Sequence, residues 1–222
     1  MKNLNIIFSV LLILIASSLV NAQSWTIYQA DEDPVTEFVP AFEESNTGGV
    51  YERTQVPDPD NANNNLLRII TDQDTDASSD NYQLRQRFGD PQPTAMTVVF
   101  RAKGNDPSKV LLFDMDMDFN TFRSQIRILT DGTLDVANGT PDAAPDPLTV
   151  STQDWNMYRF TRDGDQFALY INEDPTPVVT GTGDGGRTNN YFRFGDGWGS
   201  SGTRGVSTDF DWVTWDYSGA YS

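Results

Sequence analysis

The chain has 222 residues, a formal net charge of -17 at pH 7, no cysteine and no histidine. That acidity argues against a nucleic-acid partner, because binding nucleic acid relies on cationic surface and counterion release. The missing cysteines exclude a disulfide framework and a thiolate metal site, and the missing histidines remove the usual general base and the usual zinc ligand.

Residues 1–22 read as a secretory signal peptide: Lys2 gives the charged start, Ile6 to Leu19 the apolar run, and Val20-Asn21-Ala22 the small residues before a cut after Ala22. The mature chain is then expected to be secreted or periplasmic. No stretch is long enough to predict a membrane span. Residues 23–222 suit one sandwich domain with a substantial core.

Short β-favouring runs alternate with Asp, Asn, Gly and Pro clusters, and no amphipathic helix of useful length appears. The pattern predicts strands near 24–29, 48–54, 65–71, 80–88, 95–103, 109–119, 121–129, 133–137, 154–162, 166–172, 189–195 and 206–216. Segments 55–65 and 139–148 read as loops by composition. Met96, Val98 and Phe100, then Leu111, Phe113, Met115 and Met117, alternate as core faces. Phe167, Leu169 and Ile171 also point inward, leaving Tyr170 and Asn172 on the other face. Thr130-Asp131-Gly132 and Arg162-Asp163-Gly164-Asp165 carry hairpin turn chemistry. The expected fold is all-β: an antiparallel β-sandwich, a jelly roll.

Three strands bear arginine or a polar partner at every second residue: Gln83, Arg85 and Arg87; Arg123, Gln125 and Arg127; Tyr191 and Arg193. Successive strand residues point to opposite faces, so each strand shows one polar face. The chain uses twelve arginines against three lysines. Arginine's planar fork grips a carboxylate or sulfate with two parallel hydrogen bonds, so this bias points to anion recognition. The competing reading pairs these arginines with the abundant acidic side chains.

Asp114, Asp116 and Asp118 alternate along one strand and are similar to the Glu-x-Asp-x-Glu pattern of jelly-roll glucanases, with each glutamate replaced by aspartate. Retaining hydrolysis needs carboxyl groups about 5 to 5.5 Å apart, while residues four apart on a strand are separated by roughly 13 Å of backbone. A solvated or arginine-paired face is therefore favoured over hydrolysis.

Three motifs, Tyr82-Gln83-Leu84-Arg85, Gln125-Ile126-Arg127 and Tyr191-Phe192-Arg193-Phe194-Gly195-Asp196-Gly197-Trp198-Gly199, resemble in order the motif strands of jelly-roll alginate lyases. The resemblance implies a concanavalin-like jelly roll in which Arg85 and Gln125 neutralise a uronate carboxylate. Arg127 stands at the position of that family's catalytic histidine, and Gly197 at that of its catalytic tyrosine. A protonated arginine is no ordinary general base, so β-elimination needs another tyrosine with a lowered pKa. Tyr191 is the first candidate, then Tyr82 and Tyr170.

The ending Phe210-Asp211-Trp212-Val213-Thr214-Trp215-Asp216, with Gly219-Ala220-Tyr221, resembles secreted sandwich domains that accompany polysaccharide-degrading enzymes, ulvan lyases included. The catalytic candidates are Arg85, Gln125, Arg127 and Tyr191; the substrate-binding candidates are Arg87, Arg123, Arg193, Tyr82, Tyr170 and Trp198. Trp198, in a glycine-rich run, is read either as a sugar-stacking ring or as packing. Trp212 and Trp215 fall on opposite faces, so at least one is core.

No cofactor is required by this reading. Asp72, Asp74 and Asp76 lack the glycine and terminal glutamate of an EF-hand. A structural calcium among scattered aspartates such as Asp31, Asp33 or Asp211 stays open. Asn138-Gly139-Thr140 matches a glycosylation acceptor. The expected partner is an anionic, uronate-bearing polysaccharide, and a lyase acting on it by β-elimination is favoured over a non-catalytic binding module; a surface adhesion domain is the third class.

Overall fold

A computed structural model describes residues 25–46, 50–72, 81–197 and 205–221. Residues 1–22, expected as a signal peptide, and Asp74, Asp76 and Trp198 lie outside the described residues. The strands are β1 Thr26–Tyr28, β2 Glu43–Asn46, β3 Val50–Asp58, β4 Asn61–Asp72, β5 Tyr82–Arg87, β6 Ala95–Gly104, β7 Leu111–Phe119, β8 Phe122–Leu129, β9 Leu134–Asn138, β10 Thr140–Pro141, β11 Asn156–Asp163, β12 Gln166–Ile171, β13 Val179–Thr182, β14 Asp184–Gly185, β15 Tyr191–Asp196 and β16 Ser207–Asp216.

These strands form two antiparallel sheets. The nine-stranded sheet runs β10-β13-β12-β11-β6-β16-β4-β3 with β1 on β16, and the seven-stranded sheet runs β14-β8-β7-β15-β5-β2 with β9 on β8. Among the described residues no helix is long and apolar enough to cross a membrane.

The alternating apolar sets meet between the sheets. Met96, Val98 and Phe100 from β6 are buried with Phe113, Met115 and Met117 from β7, and Phe192 and Phe194 from β15 lie among them. Edge-to-face rings fill the space: Phe100 lies 5.2 Å from Phe194, Phe113 5.1 Å from Tyr158, and Phe42 5.6 Å from Trp215. Each such ring stabilises by about 1.5 to 3 kcal/mol through burial alone. Trp215 is core and Trp212 is half-buried.

Of the two segments expected as loops, 55–65 is mostly strand, while 139–148 is loop apart from the two-residue β10. β3 runs through Pro57 to Asp58 and pairs with the asparagine-rich start of β4, Pro57 opposite Asn65. A proline is tolerated there because β3 is a sheet edge, where a missing N–H breaks no inner ladder. Thr140 and Pro141 likewise pair with Thr182 and Gly181. The Arg162–Asp165 turn falls as expected, closing the β11–β12 hairpin with Asp163 opposite Gln166.

Candidate functional site

Directly opposed residues of antiparallel strands point to the same side, so the registers of the seven-stranded sheet decide which polar side chains share a face. Asp114, Asp116 and Asp118 of β7 stand opposite Arg127, Gln125 and Arg123 of β8. On the other flank, Gly195, Arg193 and Tyr191 of β15 stand opposite those same three aspartates. β15 in turn sets Gly195, Arg193 and Tyr191 against Gln83, Arg85 and Arg87 of β5. Glu43 lies opposite Arg85, Asp135 opposite Arg127 and Asn138 opposite Gln125. The three sequence motifs therefore meet on the face turned away from the core.

The arginines on this face are paired. Arg123 donates to Asp116 at 2.7 and 3.0 Å, and Arg193 donates to Asp116 at 2.8 Å. Arg127 lies 3.4 Å from Asp114 and donates to Asp135 at 3.0 Å. Arg85 and Arg87 both donate to Glu43, at 2.7 and 2.9 Å. Gln125 donates to Asp114 at 2.6 Å while its own oxygen accepts from Arg123 and from Asn138. The competing sequence reading, arginines neutralised by carboxylates, thus describes the resting face, and it describes the aspartate triad as well.

This pairing buries the triad. Asp114 and Asp118 are wholly inaccessible although they point away from the core. Arg123 and Arg127 of β8 and Arg193 of β15 lie against the triad, each keeping about a sixth of its side chain in solvent. Burial, then the nearby charge of Asp116, pushes Asp114 up to about 7, against the opposing pull of Arg127 and Gln125. Asp118 is also raised, mainly by burial, and its Oδ1 has no hydrogen-bond partner among the described residues.

Tyr191 packs against Arg85 and Arg193, whose guanidiniums lie 5.5 and 5.1 Å from its ring centroid. Burial and Asp116 nevertheless raise its pKa, where a general base needs it lowered. Gly197 stands so close to the face that an added Cβ would come 2.5 Å from Gln83 Nε2 and 2.6 Å from Asp114 Oδ1. No tyrosine fits there without breaking that contact.

Two further candidates lie elsewhere. Tyr82 shares its strand with Arg85 but has the opposite parity; it is buried, stacks on Tyr51 at 4.2 Å, donates to Glu44, and is raised in pKa chiefly by burial. Tyr170 belongs to the nine-stranded sheet, under Arg159 at 4.3 Å. The Asn138 amide donates to Gln125 and accepts from Arg187, so the glycosylation acceptor is engaged within the face. Asp33 binds Arg53 and Asp211 binds Arg101, and among the described residues no cluster of three acidic side chains is placed to hold a metal ion.

Glu43, Asp135, Asn138, Arg187 and Asn189 complete the face, and sequence reasoning passed them over as members of it. Glu43 sits in a strand reading Glu-Glu-Ser-Asn, with no apolar alternation to reveal it.

No protein-family model matches the chain, and no curated protein matches it in sequence. Solved structures match in fold. The cellulose-induced protein Cip1 superposes with a TM-score of 0.60 at 11% identity, covering 89% of this chain and 99% of that one. A protein of unknown function from Shewanella oneidensis MR-1 gives 0.54 at 12% identity over 94% and 95%. A structure described as a native glycosidic hydrolase gives 0.53 at 17% identity over 91% and 99%. With its two antiparallel sheets, the chain is a jelly-roll β-sandwich of the concanavalin-like kind.

Proposed function

We propose that the protein is exported and binds a uronate-bearing polysaccharide across the outward face of its seven-stranded sheet. The observation that carries this reading is the gathering of Arg85, Arg87, Arg123, Arg127, Arg193, Gln125 and Tyr191 on one face of a chain that is otherwise strongly acidic. Glu43 is the exchangeable partner, with about half of its side chain exposed. A ligand carboxylate takes its place on the forks of Arg85 and Arg87 while Glu43 returns to water. The fold it shares with Cip1 and with a glycosidic hydrolase supports a carbohydrate setting.

β-Elimination is the second reading, and Tyr191 between Arg85 and Arg193 is the observation that favours it. A raised pKa keeps the phenol protonated, which suits a proton donor to a leaving oxygen better than a base. Binding alone asks nothing of a base and fits the geometry better.

The test is incubation with alginate, ulvan, glucuronan and pectin, read by affinity electrophoresis and by the ultraviolet absorbance of unsaturated uronates. Retention by at least one polymer without an absorbance rise is expected. An absorbance rise assigns the lyase. Absence of both, with all four polymers, overturns the reading in favour of an adhesive or structural domain.

A further inference from the structure

At the end of the polar face the chain leaves β5 and crosses to β6 through residues 88–94. This crossing walls a cavity of about 520 Å³ bounded by Arg87, Phe88, Gln92 and Tyr217. Ligand pockets span roughly 300 to 1,000 Å³ and combine apolar walls with a few polar groups.

The cavity has those parts. Tyr217 exposes 39% of its surface and meets Phe88 edge-on at 5.3 Å, so an aromatic wall faces the opening. Its hydroxyl is fixed by accepting from Trp215 Nε1 at 2.7 Å. Gln92 accepts from the Asn120 N–H at 2.6 Å, which holds the crossing against the far end of β7. Pro91 and Pro93 stiffen the same segment by fixing φ. Less ordering is then needed when a ligand enters.

Arg87 joins the cavity to the sheet face. It is the most exposed arginine of that face, and its Nε is the nitrogen that donates to Glu43. Its terminal nitrogens have no hydrogen-bond partner among the described residues. Aromatic wall, amide and a half-engaged guanidinium form a site for a sugar ring carrying a carboxylate.

We infer that this cavity is a subsite for one terminal uronate residue, bound by its carboxylate at Arg87 and by its ring against Tyr217. The inference rests on the proposed uronate recognition and extends it to chain ends. Longer oligouronates then bind with one end in the cavity and the rest across Arg85 and Arg193.

Gly89 supplies a test that spares the fold. It lines the cavity, is exposed, and an added Cβ would meet nothing within 4 Å. Gly89→Leu should fill the opening and Arg87→Gln should remove the anchor, while thermal melts stay close to wild type. Calorimetric titration with oligomannuronate and oligoglucuronate should show each variant weakened about tenfold or more, the scale of one lost charge-assisted contact. Carboxyl-reduced oligosaccharides should bind wild type and both variants equally weakly. If wild type binds the oligouronates and Gly89→Leu matches it, the cavity is not a subsite, although the face reading survives; if Arg87→Gln matches it as well, the face reading loses its carboxylate anchor too. If wild type binds none of them, the face reading fails and takes the subsite with it.

Discussion

Asp116 is the residue on which the polar face turns. It is 1% exposed and receives both Arg123 and Arg193, each of which keeps about a sixth of its side chain in solvent. Removing the carboxylate leaves two cations on one spot with only Asp118, 4.0 Å from Arg123, as a counter-charge. Asp116→Ala should therefore cost about 3 kcal/mol, at the low end for breaking a buried pair because both guanidiniums retain some access to water. Arg123→Ala should cost clearly less, since Arg193 still neutralises the carboxylate. Urea denaturation of the two variants gives the comparison, and equal losses would show that the pairing is not centred on Asp116. Parity along single strands places Arg85, Arg123, Gln125, Arg127, Tyr191 and Arg193 on polar faces from the sequence alone. It does not say which sheet a strand joins, and for that reason Tyr170 sits on the opposite sheet from them. Nor does it reveal that each of these arginines meets a carboxylate on a neighbouring strand.

At the scale of elements, β7 and β11 show why the strands were legible and their ties were not. β7 alternates methionine and aspartate, and all nine of its residues are buried, one face under the core and the other under arginines. That alternation is plain in the sequence. Arg162 of β11 reads there as the edge of a turn, yet it is fully buried and spans the two sheets. It donates to the carbonyls of Met117 at 2.9 Å, Phe122 at 2.7 Å, and Phe119, and lies over the Phe119 ring. Burial pulls its pKa down to about 10, against the opposing charges of Asp118 and Asp116. The β7–β8 turn thus has its carbonyls satisfied by a side chain from the facing sheet, a long-range contact that no local pattern encodes. Arg162→Met leaves three carbonyls without this donor and should cost about 3 kcal/mol, at roughly 1 kcal/mol for each lost bond. A denaturation midpoint within error of wild type would show that water replaces the guanidinium. The asparagine run that opens β4 misleads in the other direction, because its strand conformation comes from pairing with edge strand β3 and not from its own propensity.

For the whole molecule, the two kinds of carboxylate set opposite limits on stability against pH. Between about pH 4 and 7 the folded chain keeps a proton on Asp114 that the unfolded chain has released, so folding binds more protons and stability falls as pH rises through that window. Asp118, raised by burial, acts in the same direction. The excess of negative charge adds to this slope through self-repulsion. Other carboxylates run the opposite way. Burial resists it, yet the N–H groups of Thr36 and Val35 with Arg53 hold Asp33 below its ordinary value, and Arg87 with Arg85 does so for Glu43. The Asp60 N–H lowers Asp58 likewise. Their stabilisation is present above the unfolded carboxylate range, near 4, and is lost as pH falls below it. Thermal melts should therefore peak near about pH 5 and decline on both sides. Asp114→Asn separates the causes, because it removes one titration and leaves the rest of the charge in place. The amide will lose absolute stability, since Gln83 and Gln125 both donate to that side chain at 3.1 and 2.6 Å and the new amide nitrogen cannot accept. The slope is the readout: the variant's melting temperature should fall less steeply than wild type between pH 5 and 8. Parallel curves would mean that Asp114 is ionised throughout, held charged by Arg127 and the two glutamines in spite of its burial.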